Sequence, residues 1–457
     1  MIHQYKLNGY NIVIDVASGS VHVVDEVAYD MIAMFQNHSL SDITAAMMEK
    51  YGHMDDVNES EIGLCYGDIQ SLVDAEKLFS DEAYAHVAVD FKSKNQVVKA
   101  LCLHVAHTCN LACSYCFASQ GKYHGKDALM SLEVGKKALD FLIANSGTRR
   151  NLEVDFFGGE PLMNWDMVKD VVRYGRELEK LHNKHFRFTL TTNGVLIDDE
   201  VIAFANAEMD NVVLSLDGRK EVHDHFRVDY AGNGSYEKIL PKFKKLVDSR
   251  GNKGYYMRGT FTHNNPDFTQ DLFHMTDLGF TELSMEPVVC AEGDPYALTK
   301  DDQEIVMKQY ELLAMEMLKR KKEGRPFSFY HYMLDLSHGP CIYKRVSGCG
   351  SGSEYFAVTP TGDLYPCHQF VGHPEYLMGN VDEGVKAFDK QAEFKSCNVY
   401  SRKECGDCWA RLYCSGGCAA NSYHATGTIN GIYEAGCDLF RKRIECALMM
   451  QVAEQQG

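Results

Sequence analysis

The chain has 457 residues, 45% of them hydrophobic, and a formal net charge of −18. That length allows roughly two to four domains with sizeable cores. The acidic balance argues against nucleic acid, which is bound by neutralising phosphates with Lys and Arg. No apolar run reaches the roughly 18 residues of a membrane span, so none is expected. The N-terminal Met1-Ile-His-Gln-Tyr-Lys lacks the basic and apolar regions of a signal peptide, so a cytoplasmic protein is expected. Sixteen cysteines in such a chain suggest metal thiolates and not a disulfide framework.

Residues 1–80 read as a small α+β unit. Tyr5–Leu7, Tyr10–Ile14 and Ser20–Val24 have strand composition, with turns at Asn8-Gly9 and Ser18-Gly19. Helical spacing of apolar residues follows over Glu26–Phe35, over Ser41–Glu49 with Ser41 as the cap, and over Glu59–Ala75. Three strands then three helices predict a winged-helix-like unit. DNA binding is the ordinary use of such a unit, but the acidic balance and the missing basic stripe oppose it.

Residues 81–98 read as a linker. From Lys99 a strand–helix rhythm sets in. The strand candidates are Leu101–Val105, Leu152–Phe157, Phe186–Thr192, Val212–Leu216, Tyr256–Phe261 and Glu282–Glu286. Helical patterns such as Met167–His182 and Tyr236–Ser249 lie between them. This α/β pattern predicts a partial TIM-type barrel of six strand–helix units, with chemistry at the C-terminal ends of the strands.

Polar or glycine-rich elements do follow each candidate strand. After the first come Cys109, Cys113 and Cys116, and after the second Gly158-Gly159-Glu160-Pro161. The third ends in Asn193-Gly194. The fourth ends in Ser215-Leu216-Asp217-Gly218, with His223, Asp224 and Arg227 just beyond. The fifth carries Arg258 and Thr260, and the sixth ends at Glu286-Pro287-Val288. Three thiolates hold three irons of a [4Fe–4S] cubane and leave the fourth open, which is the mark of a catalytic metal site. Three core cysteines, or a zinc knuckle completed by His104 or His107, are the plainer readings of the triplet alone.

Cys-x3-Cys-x2-Cys, with Tyr115 before its last cysteine, resembles the radical S-adenosylmethionine (SAM) enzymes. The resemblance implies that Cys109, Cys113 and Cys116 hold the catalytic cluster and that SAM chelates its open iron. By position it implies that Gly158, Gly159 and Glu160 hold the SAM amino group. Asn193, Ser215 and Arg227 would meet its ribose or carboxylate, Tyr115 would pack near its adenine, and Val288 would add a cofactor contact. Arg258 faces either SAM or substrate. As plain structure, Pro161 opens a helix, and the polar residues are caps or surface positions.

A second cysteine field lies downstream. Cys349-x12-Gly362-x4-Cys367 surrounds a hairpin turn, and Cys405-x2-Cys408-x5-Cys414-x3-Cys418 is followed by Cys437. A zinc ribbon is the other reading of the CxxC pair. Beside a radical SAM barrel the order resembles a SPASM extension with two auxiliary [4Fe–4S] clusters. The resemblance assigns Cys405, Cys408, Cys414 and Cys437 to the distal cluster. It assigns Cys349, Cys367 and Cys418 to the proximal one, with Cys341 as a candidate fourth ligand. Cys397 stays unassigned, and Cys65, Cys102, Cys290 and Cys446 read as core residues. The domains expected are 1–80, a linker 81–98, a barrel over 99–320 and an auxiliary-cluster domain over 321–457.

The opening segment resembles maturases of SCIFF peptides, which carry six cysteines in forty-five residues and receive thioether crosslinks (sactisynthases or ranthipeptide synthases). The resemblance implies a Cys-rich precursor whose leader adds a strand beside Ser20, Val21, His22, Val23 and Val24, with a reductant such as ferredoxin or flavodoxin. The rivals are an anaerobic sulfatase-type formylglycine maturase, a peptide epimerase or carbon–carbon crosslinker, a DNA-binding iron–sulfur redox sensor and a structural zinc protein.

Overall fold

The structure is a computed structural model that describes residues 1–82, 84, 97–290, 293–336 and 342–456. Most of the expected linker 81–98, and Cys341, lie outside the described residues.

The chain opens with an antiparallel sheet of β1 (Ile2–Leu7), β2 (Tyr10–Asp15) and β3 (Val21–Val24), in that order. Asn8 and Gly9 both take positive φ, +52° and +79°. A two-residue hairpin loop whose twist matches its strands requires this, and it sets Leu7 opposite Tyr10. Helices α1 (Glu26–Met34), α2 (Leu40–Tyr51) and α3 (Glu59–Asp74) follow. Ser39, and not Ser41, caps α2. Its hydroxyl accepts from Asp42 N, and the Asp42 carboxylate accepts from Ser39 N. An Asp at the third helical position closes this box as a Glu does elsewhere. Val13 from the sheet joins Met31, Ile32, Ile43, Met47, Ile62 and Ile69 in the core of this unit. β3 bonds β2 on one side and no strand on the other among the described residues.

The barrel is built from β4 (Ala100–His107), β6 (Asn151–Gly158), β7 (His185–Thr192), β8 (Asn211–Ser215), β9 (Gly254–Phe261) and β10 (Glu282–Pro287), all parallel and neighbours in that order. A short β5 (Ala128–Leu129) pairs antiparallel with the end of β4. Between them run α4 (Leu132–Asn145), α5 (Trp165–His182), α6 (Asp199–Glu208), α7 (Lys220–Phe226), α8 (Tyr236–Ser249) and α9 (Thr269–Asp277), with α10 (Lys300–Lys322) after β10. Alternate strand residues such as Leu103, Val154, Phe156, Phe188, Leu190 and Leu214 are fully buried in one core. The rings of Phe156, Phe188 and Phe186 stack in turn at 5.7 Å.

The sheet extends past the six expected strands. β11 (Ser328–Phe329) runs parallel to β10 at one edge, and β12 (Tyr355–Val358) runs parallel to β4 at the other. From β12 the chain turns at Gly362 (φ +86°) into β13 (Asp363–Tyr365), then β14 (Gly379–Asn380) and β15 (Gly384–Val385). The remaining helices are α11 (Ile342–Ser347), α12 (Phe388–Ser396), α13 (Lys403–Gly406), α14 (Arg411–Cys414), α15 (Ala419–Thr426) and α16 (Glu434–Gln456). α16 packs on α10 and also meets β1. Tyr5 donates its hydroxyl to Glu445 O (2.9 Å), and the His3 ring lies flat on Trp409 at 3.9 Å. Among the described residues no helix is long and apolar enough to cross a membrane.

Leu190 has no exposed surface. Leu190→Ala is expected to cost about 2–5 kcal/mol of stability by leaving a cavity under the barrel, to be read from the urea midpoint.

Candidate active site at the strand ends

Cys109, Cys113 and Cys116 lie on the loop that leaves β4, and two glycines determine how close that loop comes to β6. A Cβ on Gly158, which has φ +123°, would stand 2.3 Å from Ala106 O, and one on Gly159 would stand 2.1 Å from Thr108 O. Only glycine fits either position. The approach is held by Gly159 N donating to Ala106 O (2.7 Å) and Glu160 N donating to Thr108 O (2.9 Å).

Glu160 carries the connection onward. Its side chain is fully buried. Oε1 accepts from Leu162 N (2.9 Å) and Thr192 Oγ1 (2.8 Å), and Oε2 accepts from Asn193 N (2.8 Å). Asn193 in turn donates from Nδ2 to Asn110 Oδ1 (2.7 Å) and lies 3.6 Å from Cys109 Sγ. Cysteine loop, second strand end and third strand end thus form a closed circuit. Burial raises the Glu160 carboxyl to about 7 against the pull of its three hydrogen bonds.

A second tie reaches the fourth and fifth strands through Asp217, which the sequence reading left without a role. Arg227 grips this fully buried carboxylate with Nε to Oδ2 (2.8 Å) and Nη2 to Oδ1 (3.0 Å). Tyr115 donates its hydroxyl to Oδ2 (2.5 Å), and Thr260 N donates to Oδ1 (3.0 Å). Burial pushes the Asp217 carboxyl up, but the Arg227 charge and hydrogen bonds outweigh it and hold the group below its ordinary value. Tyr115 therefore joins this cluster, with Phe226 against its ring at 5.0 Å and the Arg227 guanidinium 5.6 Å from its centre. Ser215 ends β8 beside Arg258 of β9. Val288 is buried past the end of β10, its N–H bonded to Phe261 O. Arg258 pairs with Glu286 (2.9 Å), which His331 and Arg443 also approach. His104 and His107 face each other (Nδ1 to Nε2, 3.1 Å) and stack around Tyr123. His223 is buried against Ser235 Oγ (2.9 Å), and Asp224 accepts from Tyr236 N.

The loop thiols suit an iron–sulfur cluster. None is in a disulfide. Burial is the main cause that raises Cys109 to about 12 and Cys113 to about 11, and the Arg227 charge opposes it at Cys113. Thiols that hold their protons this firmly in the bare chain lose them on coordinating metal. Among the described residues no three Cys, His or carboxylate side chains close on a point that would hold a single ion. Thiolates around a cubane stand further apart, with the iron–sulfur body between them.

Downstream, Cys405, Cys408, Cys414 and Cys437 line one cavity of ≈ 250 Å³ together with Arg411 and Arg441. Burial pushes Cys414 up to about 12 and Cys405 to about 11. Cys349, Cys367 and Cys418 lie within electrostatic reach of one another. Cys397 lines a cavity of ≈ 40 Å³ with Cys349, a neighbour that sequence spacing did not suggest. Cys102 and Cys446 are buried core residues, and Cys65 and Cys290 are half-buried.

The fold is a parallel barrel, and its strand-end and downstream thiol sets suit iron–sulfur clusters. Residues 103–272 match the radical SAM superfamily, and residues 349–409 match an iron–sulfur cluster-binding domain. An uncharacterised protein of Methanocaldococcus jannaschii is 33% identical over 67% of this chain and 96% of its own length. A cysteine-type anaerobic sulfatase-maturating enzyme of Clostridium novyi is 27% identical over 78% of this chain and 95% of its own. Among solved structures, native anSMEcpe with bound AdoMet covers 79% of this chain and all of its own (TM-score 0.66, 20% identity). Streptococcus suis SuiB bound to precursor peptide SuiA covers 94% of this chain and 97% of its own (TM-score 0.55, 15% identity). The chain belongs to the radical SAM superfamily and is an enzyme of its SPASM-bearing maturase class.

Two outcomes follow from the buried charges. Arg227→Met strands the Asp217 carboxylate and is expected to destabilise by about 3–5 kcal/mol, with Asp217→Asn in the same chain recovering part of the loss; urea unfolding reads both. In the metal-free chain Glu160 keeps its proton to about 7, whereas an ordinary one loses it near 4.5. The folded state then binds more protons in that window, so stability falls as pH rises through it. Glu160→Gln should flatten that fall, as measured by chemical unfolding at pH values on either side.

Proposed function

We propose that this enzyme closes thioether bonds, from Cys sulfur to carbon, in a ribosomally made Cys-rich precursor peptide of the SCIFF kind. The observation that carries the reading is the N-terminal sheet, whose β3 edge bonds no further strand among the described residues. An extended leader seated there bonds main chain to main chain, which needs no particular leader sequence beyond alternate side-chain pockets. Val23 is 37% exposed on that edge, enough to meet an incoming side chain. The His22 ring bonds Lys77 O (2.9 Å) and ties the edge to the segment after α3. The same sheet rests on α16 and Trp409, beside the distal cysteines. A leader held at β3 raises the local concentration of its own core peptide near the barrel.

In this reading residues 1–80 recognise the leader, 99–320 form the barrel and 321–457 carry the auxiliary sites. Gly158, Gly159, Glu160, Asn193, Ser215, Arg227, Tyr115 and Val288 border the SAM position. The carboxylate of Glu160 has lone pairs left for an ammonium donor, while Arg227 and Asp217 keep the cysteine loop rigid. Cys109, Cys113 and Cys116 would hold the cluster that supplies the electron for SAM cleavage, and the downstream thiols would hold two auxiliary clusters that supply an acceptor for the electron released on closure. The barrel core excludes water from that chemistry. Three clusters amount to about twelve irons per chain, fed by a ferredoxin- or flavodoxin-type donor.

A formylglycine-forming maturase is the second reading, favoured by the extent to which the Clostridium novyi enzyme is covered. About a fifth of this chain lies outside that match, whereas the peptide-bound SuiB structure covers 94% of it. Co-expression with a Cys-rich precursor, followed by mass spectrometry, distinguishes the two. Thioether closure removes two hydrogens per crosslink and yields 5′-deoxyadenosine. Deoxyadenosine with an aldehyde in the peptide, or with an unchanged peptide, would sink the crosslinking proposal.

A further inference from the structure

Arg402 is 3% exposed, so its guanidinium is removed from water. From Nη2 it donates to the Cys397 thiol (3.2 Å) and to Ile429 O (2.5 Å), and its Nε has no partner. Among the described residues no carboxylate pairs with it. The nearby Arg411, almost as buried, has Glu82 as its counter-ion. A guanidinium buried without an anion is costly, so buried cations are normally paired.

The surroundings show where the anion belongs. Arg402 lines the small cavity that holds Cys349 and Cys397. Its Nη1 lies 3.6 Å and 3.8 Å from where a Cβ would stand on Gly416 and Gly417, and Cys414 Sγ lies 3.9 Å from the same point on Gly417. Ser415, Gly416 and Gly417 all have positive φ, and they form the short link between Cys414 of the distal set and Cys418 of the proximal set. Arg402 is also within electrostatic reach of Cys405 and Cys437. Arg402, with no acid partner among the described residues, thus stands beside both groups of cysteines.

We propose that Arg402 is the shared counter-cation of the auxiliary iron–sulfur pair, a positioning residue that sets their reduction potentials. The inference rests on the reading that these cysteines hold clusters. A cubane held by thiolates is anionic and gains a further negative charge when it accepts an electron. A fixed positive charge beside it favours the reduced form more than the oxidised one and raises the potential. Arg402 thereby makes the pair a better acceptor for the electron that thioether closure releases.

The test uses the full chain with Cys109, Cys113 and Cys116 all changed to Ala, so that only auxiliary iron is reconstituted. Iron is counted, and the reduced clusters are titrated by electron paramagnetic resonance, in this background and with Arg402→Gln or Arg402→Lys added. The expected result is full iron in all three, a lower potential of at least one cluster in Arg402→Gln, and recovery in Arg402→Lys. Iron lost in Arg402→Gln but kept in Arg402→Lys also supports the proposal, since charge is then what assembly requires. Unchanged potentials with full iron in Arg402→Gln would overturn it. Iron lost equally in both variants would overturn it too, because shape and not charge would be the cause. A parent protein that takes up no auxiliary iron fails the cluster reading itself, a result distinct from either.

Discussion

The site depends on how closely one loop can lie against one turn. The main chain of Ala106–Thr108 occupies the space where side chains on residues 158 and 159 would begin. Because both are glycine, the loop carrying Cys109, Cys113 and Cys116 is bonded directly to the end of β6. Glu160 then passes the constraint to β7 through Thr192 and Asn193, and Asn193 returns it to Asn110 beside Cys109. Three thiols on an irregular loop have no regular structure to hold them in place. A ring of buried hydrogen bonds does so here, and buried bonds of this kind are strong because little water competes for them.

Charge is handled differently in the two halves of the molecule. In the barrel, the buried Asp217 is matched by Arg227 in a two-point grip and further bonded by Tyr115 and Thr260. That group is satisfied by protein alone. In the C-terminal part, Arg402 is buried with no acid partner among the described residues, next to thiols that coordination would turn into anions. The contrast separates charges that build the fold from charges that wait on a cofactor.

The N-terminal unit is joined to the rest by packing. Tyr5 and His3 meet Glu445 of α16, His3 lies on Trp409, and Glu82 pairs with Arg411, whose Nη1 also donates to Gly406 O. The face of the small sheet that carries His3, Tyr5, Ile12 and Ile14 is therefore covered by the C-terminal helix, while the β3 edge bonds no further strand among the described residues. One sheet can thus anchor the unit by one face and still offer the β3 edge to a partner strand.

Much of this was legible in the sequence because it rests on local rules. Asn8-Gly9 demands a hairpin turn, six apolar runs alternating with helical spacing demand a parallel sheet, and strand-end polar residues mark the working face. The cap of α2 falls at Ser39, two residues before Ser41, because Asp42 completes a box that is usually written with Glu. Cysteine spacing grouped Cys405, Cys408, Cys414 and Cys437, and these four line one cavity. The partners of Asp217, the circuit through Glu160 and the closeness of Cys397 to Cys349 were not legible, since each joins residues that only the closed barrel and its C-terminal extension bring together. Nor did the sequence reveal that the sheet grows at both edges, because β11 and β12 are too short to carry a periodic signal. Residue order alone fixes the elements and the spacing of the candidate ligands, because both depend on neighbours along the chain. Which charges are paired and which thiols share a cavity emerges only from the folded chain, because burial and distance are properties of the whole.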